Sequence, residues 1–309
     1  MKLISILTPC LNEEENVWEL YTQVKGIFDT LPDYTYEHIF IDNASTDGTV
    51  GELKKIAESD KRVKVIVNTR NFGSSRSCFH GIMQTTGDAV IILVADLQDP
   101  PEMILQFIKK WEEGYKMVIG VMTERRESRI MVFIRNCYYK LLALISETRL
   151  YNSFTGFGLY DRTVIEILRQ MDDHIPYFRG MVAETGFEPA VIEYIHRKRE
   201  RGKSKENIFA LINIALSGIT AHSKLPLRIT TFLGIFGATG SLVVALFYFV
   251  YKLLYWNSFS VGIAPVVIGL FLFMSIQLIL IGIIGEYVGW IYMQVRKRPL
   301  VVERQRINF

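Results

Sequence analysis

Three cysteines in 309 residues, Cys10, Cys78 and Cys137, are odd in number and far apart. That excludes a disulfide framework and offers no zinc-ligand spacing, so reduced, packed thiols are expected. The five histidines show no paired metal-ligand spacing either. No internal repeat or low-complexity tract is present, which removes the solenoid and linker classes. Charge is missing most conspicuously in the last third. From Thr231 to Leu254 the only charged residue is Lys252, and from Ala264 to Ile284 there is none. At about 1.5 Å rise per residue each run covers roughly 30 to 36 Å as a helix, the thickness of a hydrocarbon core. A purely soluble enzyme is thereby excluded, and two transmembrane helices are expected over about 231–254 and 264–290.

What is present divides the chain. Half the residues are hydrophobic and 22% are charged, a composition that excludes a disordered or fibrous protein. The net charge of +3 is the sum of unlike halves: residues 1–195 hold 21 Lys+Arg against 28 Asp+Glu, net −7, and residues 196–309 hold 14 against 4, net +10. Basic residues flank the outer ends of the apolar runs: Arg197, Lys198, Arg199, Arg201, Lys203, Lys205, Lys224 and Arg228 before the first, Arg296, Lys297 and Arg298 after the second. The loop between them, Tyr255 to Gly262, is uncharged. The positive-inside rule then puts both flanks and both termini in the cytoplasm of a multi-pass protein of the inner (plasma) membrane. The start, MKLISILTPCLNEEENV, lacks the length and cleavage site of a signal peptide and reads as a first β-strand.

Before the membrane, Ile- and Val-rich runs alternate with amphipathic stretches: ISILTP, Val17 to Phe28, YEHIFID, Thr49 to Glu58, VKVIVN, Ser75 to Gln84 and AVIILVAD. This order predicts an α/β fold of βαβ units around a mostly parallel sheet. Ligands of such sheets bind at the carboxyl ends of the strands. Polar residues collect there: Pro9 to Glu15, Asp42 to Asp47, Asn68 to Gly73, and Asp96 to Glu102.

Each group has a bland reading and a sharp one. Asp47 suits a helix N-cap. Asp42, ending a buried strand, faces the crevice and can accept hydrogen bonds from a base or ribose. Asp96 and Gln98 offer hard oxygens to a divalent cation and, two apart on extended chain, face the same way. Asp99 before two prolines and Glu102 reads first as a helix cap and second as a ligand.

Taken together, PCLNEEENV, IDNASTDGT, NTRNFGSS, ADLQDPPE, FRGMVAETGF, RERGKSK and PLRI followed by two spans resemble the polyprenyl-phosphate glycosyltransferases of glycosyltransferase family 2, which include bactoprenol glucosyltransferases and, more distantly, dolichol-phosphate mannose synthase. The resemblance implies a GT-A fold, Rossmann-like, over residues 1–205. It implies a UDP-sugar donor, a polyprenyl phosphate acceptor and a divalent metal, Mg or Mn. Pro9, Leu11, Glu13, Asp42 and Asn71 would line the nucleotide, Asp96 and Gln98 would hold the metal, and Arg199, Arg201, Lys203 and Lys205 would meet phosphate. The sequence departs from the family pattern at Val94, where an Asp is frequent, and at Asn43 and Ala44, where Asp and Gly are common. It departs again at Met122, and at Gly156 and Gly158, where an acid and an Arg occur in relatives. Glu184 is the spare acid considered for catalysis.

On the acceptor side, Arg125, Arg129 and Arg135 on an otherwise apolar stretch, and the amphipathic run Ile208 to Ile219 within 206–228, are expected at the bilayer surface. Residues 296–309 are expected as a cytoplasmic tail. Gly234, Gly237 and Gly240 suggest homo-oligomerisation. The expected reaction is inverting transfer of a hexose, with glucose favoured, from a UDP-sugar to undecaprenyl phosphate; a separate flippase would move the product, and no nucleic-acid partner is expected. A processive polysaccharide synthase and a catalytically inactive membrane regulator are the alternatives.

Overall fold

A computed structural model of the chain describes residues 1–124, 154–173, 176–197, 225–255 and 263–309. They fall into two compact units, Met1–Gly218 with Lys297–Phe309, and Ile219–Arg296.

In the first unit, β1 (Lys2–Cys10), α1 (Val17–Asp29), β2 (Tyr34–Asp42), α2 (Thr49–Ser59), β3 (Val63–Asn68), α3 (Ser74–Met83) and β4 (Ala89–Ile92) alternate as the apolar pattern predicts. Then come α4 (Met103–Glu112), β5 (Met117–Glu124), β6 (Phe154–Asp161), α5 (Arg162–Gln170), α6 (Phe178–Glu184), β7 (Ala190–Ile195) and, from the far end of the sequence, β8 (Glu303–Ile307). The strands form one sheet in the order β7-β5-β6-β4-β1-β2-β3-β8. β1 pairs in parallel with β2 and β4, β2 with β3, and β5 with β7, whereas β6 and β8 run antiparallel to their neighbours. The sheet is therefore mixed, with a mostly parallel centre.

Alternation along the strands sends side chains to two cores. Ile4, Ile6, Phe40 and Val65 pack with Val17, Leu20 and Val24 of α1, Leu53 and Ile56 of α2, and Ile104 and Phe107 of α4. Leu7, Ile39, Ile41 and Ile66 pack on the opposite face with Phe79 and Ile82 of α3, Val164, Ile165 and Leu168 of α5, and Met181 and Val182 of α6. Each such side chain, fully withdrawn from water, contributes about 1.5 to 3 kcal/mol before entropy is charged against it. The result is a three-layer α/β domain whose central strands all deliver their carboxyl ends to one edge.

Residues 296–309, expected as a tail, supply β8, the edge strand beside β3. The segment ERQRI carries little apolar pattern because its side chains are exposed or half-buried at every position.

The second unit consists of α7 (Leu225–Leu254, 30 residues) and α8 (Ile263–Val295, 33 residues). Large apolar side chains on both are exposed, among them Phe232, Phe236, Leu246, Leu278 and Ile281. Among the described residues one helix is long and apolar enough to cross a membrane, over Ile276–Val295. That window overlaps the span expected at 264–290 and lies toward its C-terminal end. The stretches carrying Arg125, Arg129, Arg135, Arg199, Arg201, Lys203 and Lys205, and most of 206–228, lie outside the described residues.

Candidate active site

The site begins where β1 and β2 end side by side, Cys10 in register with Asp42. Beyond them the two loops are laced together. Asn12 donates its N–H to Ser45 Oγ (2.8 Å), and its Oδ1 accepts the N–H of Thr46 (2.8 Å). Glu13 donates its N–H to Thr49 Oγ1 (2.9 Å), and its carboxylate accepts from Asn16 Nδ2 (2.6 Å). Glu14 accepts the N–H of Gly48 at 2.6 Å. Asp47 Oδ1 accepts the N–H and hydroxyl of Thr49, 3.1 and 2.5 Å away, so it bonds the first residue of α2 from one position before the N-cap, which is Gly48 and not Asp47.

Asp42 sits fully buried at the mouth of this lacework. One oxygen accepts the N–H of Ser45 at 3.0 Å; the other, Oδ1, accepts no hydrogen bond among the described residues. Burial pushes its carboxyl above the ordinary value. A buried, unpaired acceptor is costly to the fold, so this oxygen is able to take a hydrogen bond from a group entering the crevice. Burial also pushes the neighbouring Cys10 thiol up, reinforced by Asp42, Glu13 and Asp47. This corner, with Asp42, Glu13 and Asp47 around it, is acidic and suits N–H and O–H donors.

The third loop joins through asparagines. Asn43 Nδ2 donates to Asn71 Oδ1 (2.9 Å), while Asn43 Oδ1 accepts from Asn68 Nδ2 (3.2 Å) and from the N–H of Phe72 (3.0 Å). Asn71 Oδ1 also accepts the N–H of Gly73 at 2.8 Å. Asn71 is so brought to the Asp42 corner, and Asn43 and Asn68, which sequence reasoning passed over as binding elements, hold it there. Their only signal was an Asn closing a Val-rich strand and an Asn following the Asp of the next. Ala44 adopts φ 64°, the left-handed region in which a Cβ is disfavoured.

The fourth loop corrects two expectations. The chain from Asp96 to Gln98 is not extended, because Leu97 takes φ 58° and Asp96 Oδ1 accepts the N–H of Gln98 at 3.1 Å. The two side chains therefore share a tight turn rather than one side of a strand. Asp99 is not a helix cap: α4 starts at Met103, behind Glu102. Asp99 is buried and accepts from the hydroxyl of Tyr194 at 2.5 Å. Gln98 and Arg197 bond in both directions, Gln98 Nε2 to the Arg197 carbonyl and Arg197 N–H to the Gln98 carbonyl, each at 3.1 Å. Arg197 also pairs with Glu102. The end of β7 thus grips the Asp96 loop, and the basic segment that begins at Arg197 starts beside it.

Among the described residues no three His, Cys, Asp or Glu side chains gather as a metal cage. One half-buried carboxylate with an amide nearby fits instead a hard cation that is bound by one or two protein oxygens and completed by water and phosphate. Asp96 and Gln98 fit that description.

Glu184 is not brought to this edge. It is exposed at the last position of α6, and the following Thr185 Oγ1 lies 4.0 Å from Met117 Sδ, at the amino-terminal end of β5. The helix starts nearer the crevice, where Arg179 donates to the Phe154 carbonyl (3.2 Å), and carries Glu184 away. The departures at Gly156 and Gly158 have steric causes. Gly156 has φ 107°, and a Cβ on Gly158 would lie 2.4 Å from the Val118 carbonyl oxygen, so β5 and β6 approach only because no side chain stands there. Met122 is buried in the core.

A family model described as glycosyl transferase family 2 matches residues 5–168. Bactoprenol glucosyl transferase of Shigella phage SfX is 34% identical over 304 residues, 98% of this chain and 99% of that one. The prophage bactoprenol glucosyl transferase homolog of Escherichia coli K12 is 33% identical, over 96% of each chain. The putative glycosyltransferase CsbB of Bacillus subtilis is 34% identical over 96% of this chain and 90% of its own. A crystal structure of glucosyl-3-phosphoglycerate synthase from Mycobacterium tuberculosis with Mn2+, uridine diphosphate and phosphoglyceric acid is 20% identical, with a TM-score of 0.47, over 71% of this chain and 76% of that one. With an acid-lined crevice at the carboxyl ends of a GT-A-type sheet and full-length relatives above 30% identity, the chain belongs to glycosyl transferase family 2.

Proposed function

We propose that this glycosyltransferase moves a hexose, glucose, from a UDP-sugar to undecaprenyl phosphate at the cytoplasmic face of the membrane. The observation that carries the reading is the likeness to bactoprenol glucosyl transferases across 96% or more of the chain, which spans the crevice and the apolar helices alike.

Pro9, Leu11, Glu13 and Asn71 line the uridine, and the unpaired Asp42 Oδ1 accepts from its base or ribose. Asp96 and Gln98 would hold Mg2+ or Mn2+, which when bound neutralises charge gathering on the leaving diphosphate. Arg199, Arg201, Lys203 and Lys205, with Arg125, Arg129 and Arg135, orient the acceptor phosphate. A phosphate monoester has a second pKa of about 6, so at neutral pH the acceptor is already ionised and needs no base. Its oxygen attacks the anomeric carbon, the bond from that carbon to the UDP oxygen breaks with its electron pair, and the centre inverts. Glu184 has no part in this sequence. α7 and α8 span the bilayer that carries the acceptor, a lipid too apolar to leave it.

The reading is tested with Asp96→Ala and by metal removal. The variant keeps its fold and loses transfer, and the wild-type enzyme treated with a chelator loses transfer until Mg2+ or Mn2+ is returned. Full activity in Asp96→Ala overturns the assignment.

A further inference from the structure

β8 and the residue before it bond the two elements that bracket the third crevice loop, the end of β3 and the helix α3. The Val302 carbonyl accepts the N–H (2.9 Å) and the hydroxyl (3.1 Å) of Thr69, the first residue after β3. Next to it, Glu303 Oε1 lies 2.6 Å from Nε2 of His80 on α3. Arg306 clasps the same carboxylate at 2.5 and 2.7 Å and reaches Gln84 Oε1, at the far end of α3, at 2.9 Å. Asn308 Nδ2 anchors the other end of the strand on the carbonyls of Ala57 (2.6 Å) and Val63 (2.9 Å). Between Thr69 and α3 lie Arg70 to Gly73, including Asn71, whose amide oxygen is locked to Asn43 beside Asp42.

We infer that β8 is a positioning element for the donor loop: by holding Thr69 on one side and His80 on the other, it keeps Asn71 in place, so that donor affinity depends on a strand supplied by the far end of the chain. An edge strand that served only to cover β3 would need backbone pairing alone; here side-chain bonds to α3 and a bifurcated acceptor beyond the strand are added. Seven residues, 296–302, join α8 to β8. The order of the donor loop is therefore tied to chain that leaves the apolar helix.

This inference rests on the donor occupying the crevice, and two readouts separate the failures. The full-length enzyme is compared with Glu303→Ala, with Glu303→Gln, which keeps a hydrogen-bonding partner for His80, and with a chain ending at Leu300. Hydrogen exchange at residues 69–73 reports the loop without any donor, and calorimetry with UDP reports the crevice. Glu303→Ala is expected to speed exchange across 70–73 and to raise both the UDP dissociation constant and donor KM, roughly five- to thirtyfold, at unchanged kcat and acceptor KM. Glu303→Gln recovers most of the loss. If the shortened chain folds, it shows the larger defect and a peptide of residues 301–309 restores UDP binding. Unchanged exchange and UDP affinity in Glu303→Ala overturn the inference. Faster exchange with no UDP binding even in the wild-type enzyme leaves the loop clamp standing and overturns the donor assignment instead.

Discussion

Two buried side chains at the centre of the sheet have opposite relations to pH. Asp42 has its folded pKa raised by burial, so its contribution to stability is fully present below the unfolded value near 3.8 and is lost as pH rises through the folded one. At neutral pH its charge opposes folding. Asp42→Asn is predicted to melt higher than the unliganded wild type at pH 7, with the gap narrowing toward pH 4, and to raise donor KM about tenfold through loss of a charged acceptor. Scanning calorimetry and steady-state kinetics check the two halves. His38 is the reverse case: burial holds its imidazole down at about 3, against an ordinary 6.5. The unfolded chain takes up that proton first, so stability is present above pH 6.5 and lost as pH falls toward 3. His38→Gln, retaining a polar partner for Thr8 (2.9 Å), should flatten the fall of Tm between pH 7 and 4.5. Parallel melting curves would remove His38 from the account.

At the scale of elements, the narrow β5–β6 approach predicts that Gly158→Ala destabilises the chain by about 3 kcal/mol, the upper end for a forced overlap, measured by denaturant unfolding. The same comparison of strands explains what the sequence made legible. β1, β2 and β3 announced themselves as mostly apolar runs because both their faces are buried, although Ser5 and Thr8 interrupt β1 and Glu37 and His38 interrupt β2. α1, α2 and α3 were framed by turn residues that cap or break helices. β8 was invisible: ERQRI is a strand only because β3 presents an open edge, a fact of tertiary pairing. Asp42 was legible as an acid closing a buried strand; Asp96 was read the same way, but β4 ends at Ile92 and Asp96 stands in the turn four residues on. The turn at Leu97, the burial of Asp99 against Tyr194 and the removal of Glu184 along α6 depend on where distant elements lie, which residue spacing does not encode.

Over the whole molecule, the division into −7 and +10 follows the chemistry. The acidic part builds a crevice with the buried carboxylate of Asp42 at its corner, the place proposed for the donor's N–H and O–H groups. The cationic excess begins at Arg197, hydrogen-bonded to Gln98 in the proposed cation loop, and continues toward the apolar helices. On the proposed function, the acidic part meets a water-soluble donor and the cationic part a membrane-bound acceptor. The most direct test supplies the purified full-length enzyme with undecaprenyl phosphate, Mn2+ and radiolabelled UDP-glucose, followed by organic extraction. The account predicts label in the lipid phase as a single lipid-phospho-sugar, with stoichiometric release of UDP. No lipid-linked label from any UDP-sugar, or label entering a growing polymer, would contradict it.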